Sequence, residues 1–310
     1  MTAPAAQGAS ILDRLAPAAS AARDALLDAV LPQTCVACAV PTPAGQGLLC
    51  GVCDDELRHA AALPRCDRCG RTVHAAAIRG RECGLCHREA FWNVGGIARI
   101  GPYSCGALRA MILSLKYRGT ERTAEPLADL LAGALRREPW IGEVEMLVPV
   151  PMHWLRRWQR PCDHANLLAA ALGDRLGIAV RSAAVRRPRY GPSQTRAASR
   201  YARFESVRGC FAPARGARVE GRVVCIVDNL LVSGATIHEV SKVLRHAGAR
   251  RVYAAVAARS VLPGETEARL DFVSAHVASA SIDGDAAVPM PRPEAQRAAR
   301  DPSDARINRD

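Results

Sequence analysis

No uninterrupted apolar run in this chain approaches the roughly 18 residues of a membrane-spanning helix, so insertion into a bilayer is not expected. A secretory leader is not expected either: Asp13, Arg14, Arg23, Asp24 and Asp28 interrupt the stretch where an apolar core segment would lie. Acidic residues are outnumbered, 30 Asp+Glu against 42 Lys+Arg, which leaves a net charge of +12. There is no internal repeat outside the cysteines. What is present excludes wholesale disorder, since 49% of residues are hydrophobic and 23% charged. The 310 residues suffice for about two domains. A cytoplasmic setting is expected, and there the 12 cysteines would stay unpaired as disulfides.

The texture changes along the chain. Residues 1–31 are alanine-rich with loosely helical apolar spacing that Pro17 interrupts, and read as a helical or flexible segment. Residues 32–90 hold eight cysteines and no sustained period; such a module has too poor a core to fold unaided. From 95 to 277 apolar strands alternate with helices. Strands are predicted at Gly96–Ile100, Glu145–Val150, Val223–Val227 and Val252–Ala258. Helices are predicted at Cys105–Leu115, Thr123–Arg136, Ala165–Leu176 and Ala235–Ala247. The pattern implies an α/β fold with a parallel sheet covered by helices on both faces. Residues 187–215 carry Pro188, Gly191, Pro192, Gly209 and Pro213 with little periodicity, and 278–310 reads as a disordered tail.

The cysteines form four CxxC pairs, Cys35/Cys38, Cys50/Cys53, Cys66/Cys69 and Cys83/Cys86, separated by 11, 12 and 13 residues. A CxxC turn aims two thiolates at one point, and two such turns complete a tetrahedral Zn²⁺ site across a hairpin-length return. Eight cysteines make two Cys₄ sites, either sequential (35/38/50/53 and 66/69/83/86) or cross-braced. Closed Cys₄ sites leave no open position for substrate, so the zincs are structural. His59, His74 and His87 read as surface histidines, because the thiolates fill both shells. Cys105, Cys162, Cys210 and Cys225 read as packing.

A second informative stretch runs from Val223 to Thr236. A buried strand is expected to end at Asp228, and Ser233-Gly234-Ala235-Thr236 opens a helix. Free backbone N–H groups at a helix N-terminus favour an anion, Gly234 permits close approach, and Ser233 and Thr236 add hydroxyl donors. Asp228, at the carboxyl end of a strand, is placed to accept from sugar hydroxyls.

This stretch resembles the signature that binds phosphoribosyl pyrophosphate (PRPP) in type I phosphoribosyltransferases, an apolar strand followed by D-D-x-x-x-T-G-x-T. Leu115-Lys-Tyr-Arg-Gly119, Val148-Pro-Val-Pro151 with His153, Arg160, the helix Asn166–Leu172, Ser193-Gln-Thr195 and Arg208-Gly-Cys-Phe211 extend the likeness. With the four CxxC pairs in front, the motif order is similar to that of the ComF family, competence and DNA-utilisation proteins in which a double zinc ribbon precedes a phosphoribosyltransferase-like domain. The resemblance covers roughly 30 to 260. It implies that Asp228 binds the ribose hydroxyls of PRPP, with Asn229 beside it. Ser233, Gly234, Ala235 and Thr236 would wrap the 5′-phosphate. Pro151, Met152 and His153 would form the pyrophosphate loop, and Lys116 would add positive charge. In such enzymes Mg²⁺ bridges ribose and pyrophosphate oxygens, and catalysis is positioning and charge neutralisation.

The sequence departs from the signature at defined points. Its second acid is Asn229, which supplies no charge for Mg²⁺, and the first Thr of the T-T-G pair is Val232. Where the family reads R-G-F-N-Q, this chain has Arg160-Pro-Cys-Asp-His164. Each lost contact costs about 1–3 kcal/mol of binding, which favours phosphate recognition with weakened transfer.

The positive charge is concentrated. Between 186 and 208, Arg186, Arg187, Arg189, Arg196, Arg200, Arg203 and Arg208 face Glu205 alone, so 7 − 1 = +6, with Tyr190, Tyr201 and Phe204 interleaved. Guanidinium groups and aromatic faces suit single-stranded DNA, while a solvated loop over the cleft accounts for the same composition. Trp154 and Trp158, one turn apart beside Arg156 and Arg157, make a second such surface. Three functions follow: a competence or DNA-uptake protein that binds PRPP or a nucleotide and single-stranded DNA; an active Mg²⁺-dependent phosphoribosyltransferase acting on a base or amine; or a zinc-ribbon scaffold that recruits competence or recombination proteins.

Overall fold

The computed structural model describes residues 33–43, 47–86, 93–117, 121–160, 162–190 and 199–260. The expected N-terminal segment 1–31, the tail 278–310, His87 and Arg196 lie outside them. The first ribbon leads into helix α1 (Gly51–Ala62), and the second carries a hairpin of β1 (Ile78–Arg79) and β2 (Glu82–Cys83). There follow β3 (Ile97–Pro102), α2 (Gly106–Tyr117), α3 (Ala124–Leu135), β4 (Met146–Pro149), α4 (Trp154–Gln159), α5 (His164–Leu176) and β5 (Ala179–Val180). The chain then forms β6 (Val185–Arg186), α6 (Arg200–Val207), β7 (Ala212–Pro213), β8 (Val223–Leu231), α7 (Ala235–His246) and β9 (Arg251–Arg259).

Five strands make one parallel sheet in the order β3-β9-β8-β4-β5. The apolar runs are continuous because each strand is buried on both sides, and alternate residues enter different cores. Val223, Cys225 and Val227 of β8 join the core beneath α1, α2, α3 and α5. Val224 and Ile226 join the core beneath α7, with Ile237, Val240 and Leu244. The expected α/β class, with helices on both faces, is what the chain adopts.

Two local expectations change. β8 does not stop at Asp228 but runs to Leu231, because β9 continues beside it and pairs Leu230 with Ala258 and Leu231 with Arg259. The 187–215 segment is more regular than its Gly and Pro content suggested. It contains β7, which pairs with β6, and the helix α6, whose N-cap Ser199 accepts from the Ala202 amide at 3.1 Å.

The ribbons dock on the sheet. Leu57 and Ala60 of α1 share a core with Leu108 and Met111 of α2, and the second cysteine cluster packs with Ile97. The Ile97 amide donates to the Asp67 carbonyl at 3.0 Å, so the second ribbon covers the outer edge of β3. Arg65 pairs with Glu138, whose side chain is almost wholly buried. Arg99 of β3 donates to the Thr72 hydroxyl at 2.7 Å.

Candidate metal centres and phosphate cleft

The eight ribbon cysteines form two groups, Cys35/Cys38/Cys50/Cys53 and Cys66/Cys69/Cys83/Cys86, and within each all four sulfurs lie within 4.8 Å of one another. Sequential pairing is therefore the arrangement adopted, and cross-bracing is excluded. Sulfur separations of 3.6 Å (Cys38–Cys50), 3.3 Å (Cys66–Cys86), 3.8 Å (Cys69–Cys83) and 3.6 Å (Cys83–Cys86) are far beyond disulfide length. Four sulfurs about 2.3 Å from a tetrahedral zinc lie about 3.8 Å apart, so the thiol set fits that ion. The two leading turns are built alike. Ala39 donates to the Cys35 carbonyl and Gly70 to that of Cys66, and both residues have positive φ, +59° and +69°. At the first centre Cys50 and Cys53 stand at the start of α1.

At the other end of the chain's organisation is a cleft at the carboxyl edge of the sheet. β4 leads through α5 to β5 on one side, and β8 leads through α7 to β9 on the other. Neighbouring β4 and β8 thus diverge, and a crevice opens where their following segments part. It holds about 210 Å³. Val150, Pro151 and Met152 line it after β4, and Asp228, Leu230, Val232 and Thr236 line it from β8 onward. Lys116 and Tyr117 come from the end of α2, Arg156 and Arg160 from α4, His164 from α5, and Arg187 and Arg203 from the 187–215 hood. Five cations therefore face Asp228, the one carboxylate among the described lining residues.

Burial sets the electrostatics. It raises the Asp228 carboxyl, opposed by Lys116 and by the Asn229 and Leu230 backbone. It pulls the Lys116 ammonium down to about 8, opposed by Asp228 and reinforced by Arg160. His164 is pushed down to about 3 by burial, then by Lys116 and Arg160, so its ring is neutral at pH 7. Its Nε2 lies 2.8 Å from Arg160 Nη1; because guanidinium only donates, Nε2 accepts and the ring proton is on Nδ1. Asn229 is fully buried, and its side chain interacts with that of His164, partly opposing the downward shift of the ring.

Of the residues singled out in the sequence, Asp228, Lys116, Pro151, Met152 and Thr236 meet in the cleft. Ser233, Gly234 and Ala235 do not line it. They are buried beneath α6, where Arg200 Nη1 donates to the Ser233 carbonyl at 3.2 Å, and Gly234 takes φ +83° to start α7. His153 is buried and caps α4, its Nδ1 accepting from the Leu155 amide at 3.2 Å. The basic segment divides: Arg187 and Arg203 face the cleft, while Arg186 and Arg189 are exposed. Periodicity marks both inward arginines. Arg187 is two residues from buried Val185 along a strand, and Arg203 lies on the same helical face as Phe204 and buried Val207. Arg156, read from the sequence as part of a second nucleic-acid surface with Trp154 and Trp158, is also a cleft cation.

The donor set does not suit Mg²⁺. A hard dication takes carboxylate and carbonyl oxygens, whereas here one carboxylate is outnumbered by cations and the second acid of the signature is a buried, neutral amide.

The fold and these two kinds of site define an α/β protein with a parallel sheet, fronted by a double zinc ribbon. Residues 26–88 match the family model described as the double zinc ribbon domain. The chain is 28% identical over 223 residues to competence protein F of Haemophilus influenzae, covering 70% of this chain and 93% of that protein. It is 26% identical over 226 residues to the DNA utilization protein YhgH of Salmonella typhimurium and of Escherichia coli K12, covering 72% of this chain and 95% of theirs. Among solved structures, the allosteric regulatory enzyme of purine biosynthesis aligns at 22% identity and a TM-score of 0.30, covering 43% of this chain and 26% of that one. The chain is a relative of competence protein F and YhgH, as its motif order implied. Among the described residues no helix is long and apolar enough to cross a membrane.

Proposed function

We propose that this protein acts in DNA uptake or utilisation, like its named relatives. In this reading the cleft at the carboxyl edge of the sheet binds a phosphorylated ribose, PRPP or a nucleotide. The observation that carries it is the charge inventory of that cleft, five cations around a single carboxylate where β4 and β8 diverge. Asp228 accepts from sugar hydroxyls. Lys116, Arg156, Arg160 and Arg187 neutralise phosphate on one wall, and Arg203 and Thr236 hold it on the other. The buried turn 233–235 supports the wall without touching the ligand. Zinc fixes the ribbons against the sheet, and that docking favours a structural role for them over a free recruiting module.

Recognition by guanidinium and ammonium groups accounts for every charged lining residue without a divalent cation, so the reading is one of binding. Transfer of phosphoribose is the alternative that Asp228 beside Lys116 favours, and release of pyrophosphate from PRPP with added bases or amines decides between them. Calorimetry and thermal unfolding with PRPP, pyrophosphate and 5′-nucleotides test the binding itself. Saturable stabilisation is expected, and Arg160→Gln and Arg187→Gln should remove it. A melting temperature that none of these ligands moves would overturn the reading.

A further inference from the structure

Aromatic residues make up only 4% of this chain, and among the described residues five are left more than half exposed: Tyr117, Trp154, Trp158, Tyr190 and Tyr201. Four gather on the segments that form the mouth of the phosphate cleft. Tyr117 is a lining residue, and the Arg160 guanidinium lies 5.4 Å from its ring centre. Tyr190 carries the Arg156 guanidinium at 5.5 Å. From Tyr190 the ring of buried His153 lies 5.2 Å away, and exposed Trp154 lies 5.6 Å from His153. Trp158 follows one helical turn later on the same face, 87% exposed. Large apolar side chains left in water beside guanidinium groups form a surface for unpaired bases, whose faces stack on aromatic rings while arginine neutralises the phosphates.

The cleft sets five cations around the single carboxylate of Asp228. A strongly cationic pocket suits a terminal phosphate monoester, which carries close to two negative charges at neutral pH, better than an internal diester, which carries one. We infer that cleft and aromatic track form one site for the 5′-phosphorylated end of a DNA single strand. The terminal phosphate lies among the cleft cations, and the following bases lie along Tyr190, Trp154 and Trp158. The assignment rests on the proposed reading that the cleft takes a 5-phosphorylated sugar; it adds a strand whose terminal deoxyribose offers Asp228 no free hydroxyl, so that the phosphate is the anchor.

Fluorescence anisotropy with a labelled twelve-residue oligothymidylate tests it, using the full zinc-loaded chain at one fixed salt concentration. Three versions of the strand are compared: 5′-phosphate, 5′-hydroxyl and 3′-phosphate. The 5′-phosphate strand should bind at least about tenfold more tightly than the other two, and PRPP should compete with it. Arg203→Gln should abolish the preference. Trp154→Ala with Trp158→Ala should weaken all three strands equally and leave the preference intact; both tryptophans are exposed, so folding is not at stake. Should Arg203→Gln fail to fold, Lys116→Met serves the same purpose. Equal affinity for the three strands, or a preference for the 3′-phosphate, overturns the inference while a PRPP-induced melting shift still upholds the binding reading. Failure of both strand and PRPP to bind removes the two together.

Discussion

Lys116→Met separates what the cleft costs the fold from what it does for a ligand. Burial pulls the Lys116 ammonium from 10.5 to about 8, against the attraction of Asp228, which is already contained in that value. A group that holds its proton less tightly when folded makes folding harder wherever the unfolded chain would keep it charged. A displacement from 10.5 to about 8 corresponds to about 3 kcal/mol, a large part of the roughly 5–15 kcal/mol that holds a domain together. Below pH 8 both states are protonated and the cost is present in full. Between pH 8 and 10.5 the unfolded chain binds more protons, so stability rises with pH and the cost is relieved. Methionine has similar length and no charge. Urea unfolding should therefore find the Lys116→Met protein more stable at pH 7 by up to about 3 kcal/mol, with the gap closing as pH approaches 10.5. The same protein should lose most of its affinity for pyrophosphate. The reasoning is refuted if the substitution lowers stability at pH 7, or if the gap stays constant from pH 8 to 10.5.

Metal analysis should return two zinc ions per chain, and Cys69→Ser should lose one of them and fail to fold. Its cluster packs with Ile97 in the sheet's own core, and a structural zinc contributes on the order of 10–16 kcal/mol. Pyrophosphate should bind equally well in Mg²⁺-free buffer without chelator and in millimolar Mg²⁺, as titration calorimetry will read. Asn229→Asp should introduce a Mg²⁺ dependence and raise the His164 pKa above about 3 in an NMR titration, and an unchanged histidine would place residue 229 away from that ring. Arg65→Met should cost about 3–5 kcal/mol in chemical denaturation, because it strands the buried Glu138 carboxylate, and adding Glu138→Gln should recover most of that loss.

The parts legible in the sequence were those where one local rule decides the structure. CxxC spacing located both metal centres, because a thiolate pair at that separation has one geometric use, but it left sequential and cross-braced pairing open. Only the folded path, with Cys50 and Cys53 at the start of α1 and Cys83 in a hairpin, brings consecutive pairs together. The apolar runs gave the parallel sheet because strands covered on both faces must be apolar throughout. Boundaries were less secure where tertiary pairing overrides composition. Asp228 and Asn229 are poor strand residues, yet β9 holds them within β8.

The cleft shows the limit more sharply. Its cations come from α2, α4 and the hood, separated by up to 87 residues between Lys116 and Arg203, and no spacing rule links them. Charge counting along 186–208 found the arginines but could not divide them between cleft and solvent. That division follows from alternation and helical phase, a signal the glycines and prolines of the segment obscured. The turn 233–236 is placed differently from what its sequence suggested. Its sequence suits an anion cradle, and α6 instead packs over Ser233, Gly234 and Ala235 and leaves Thr236 at the surface of the cleft. A helix N-terminus becomes a binding site only where nothing else covers it, and what covers it is decided by a segment more than thirty residues upstream. On the proposed reading, phosphate recognition rests on side-chain cations in place of backbone amides. Such a cleft would be tolerant of a missing metal and sensitive to the loss of any one arginine.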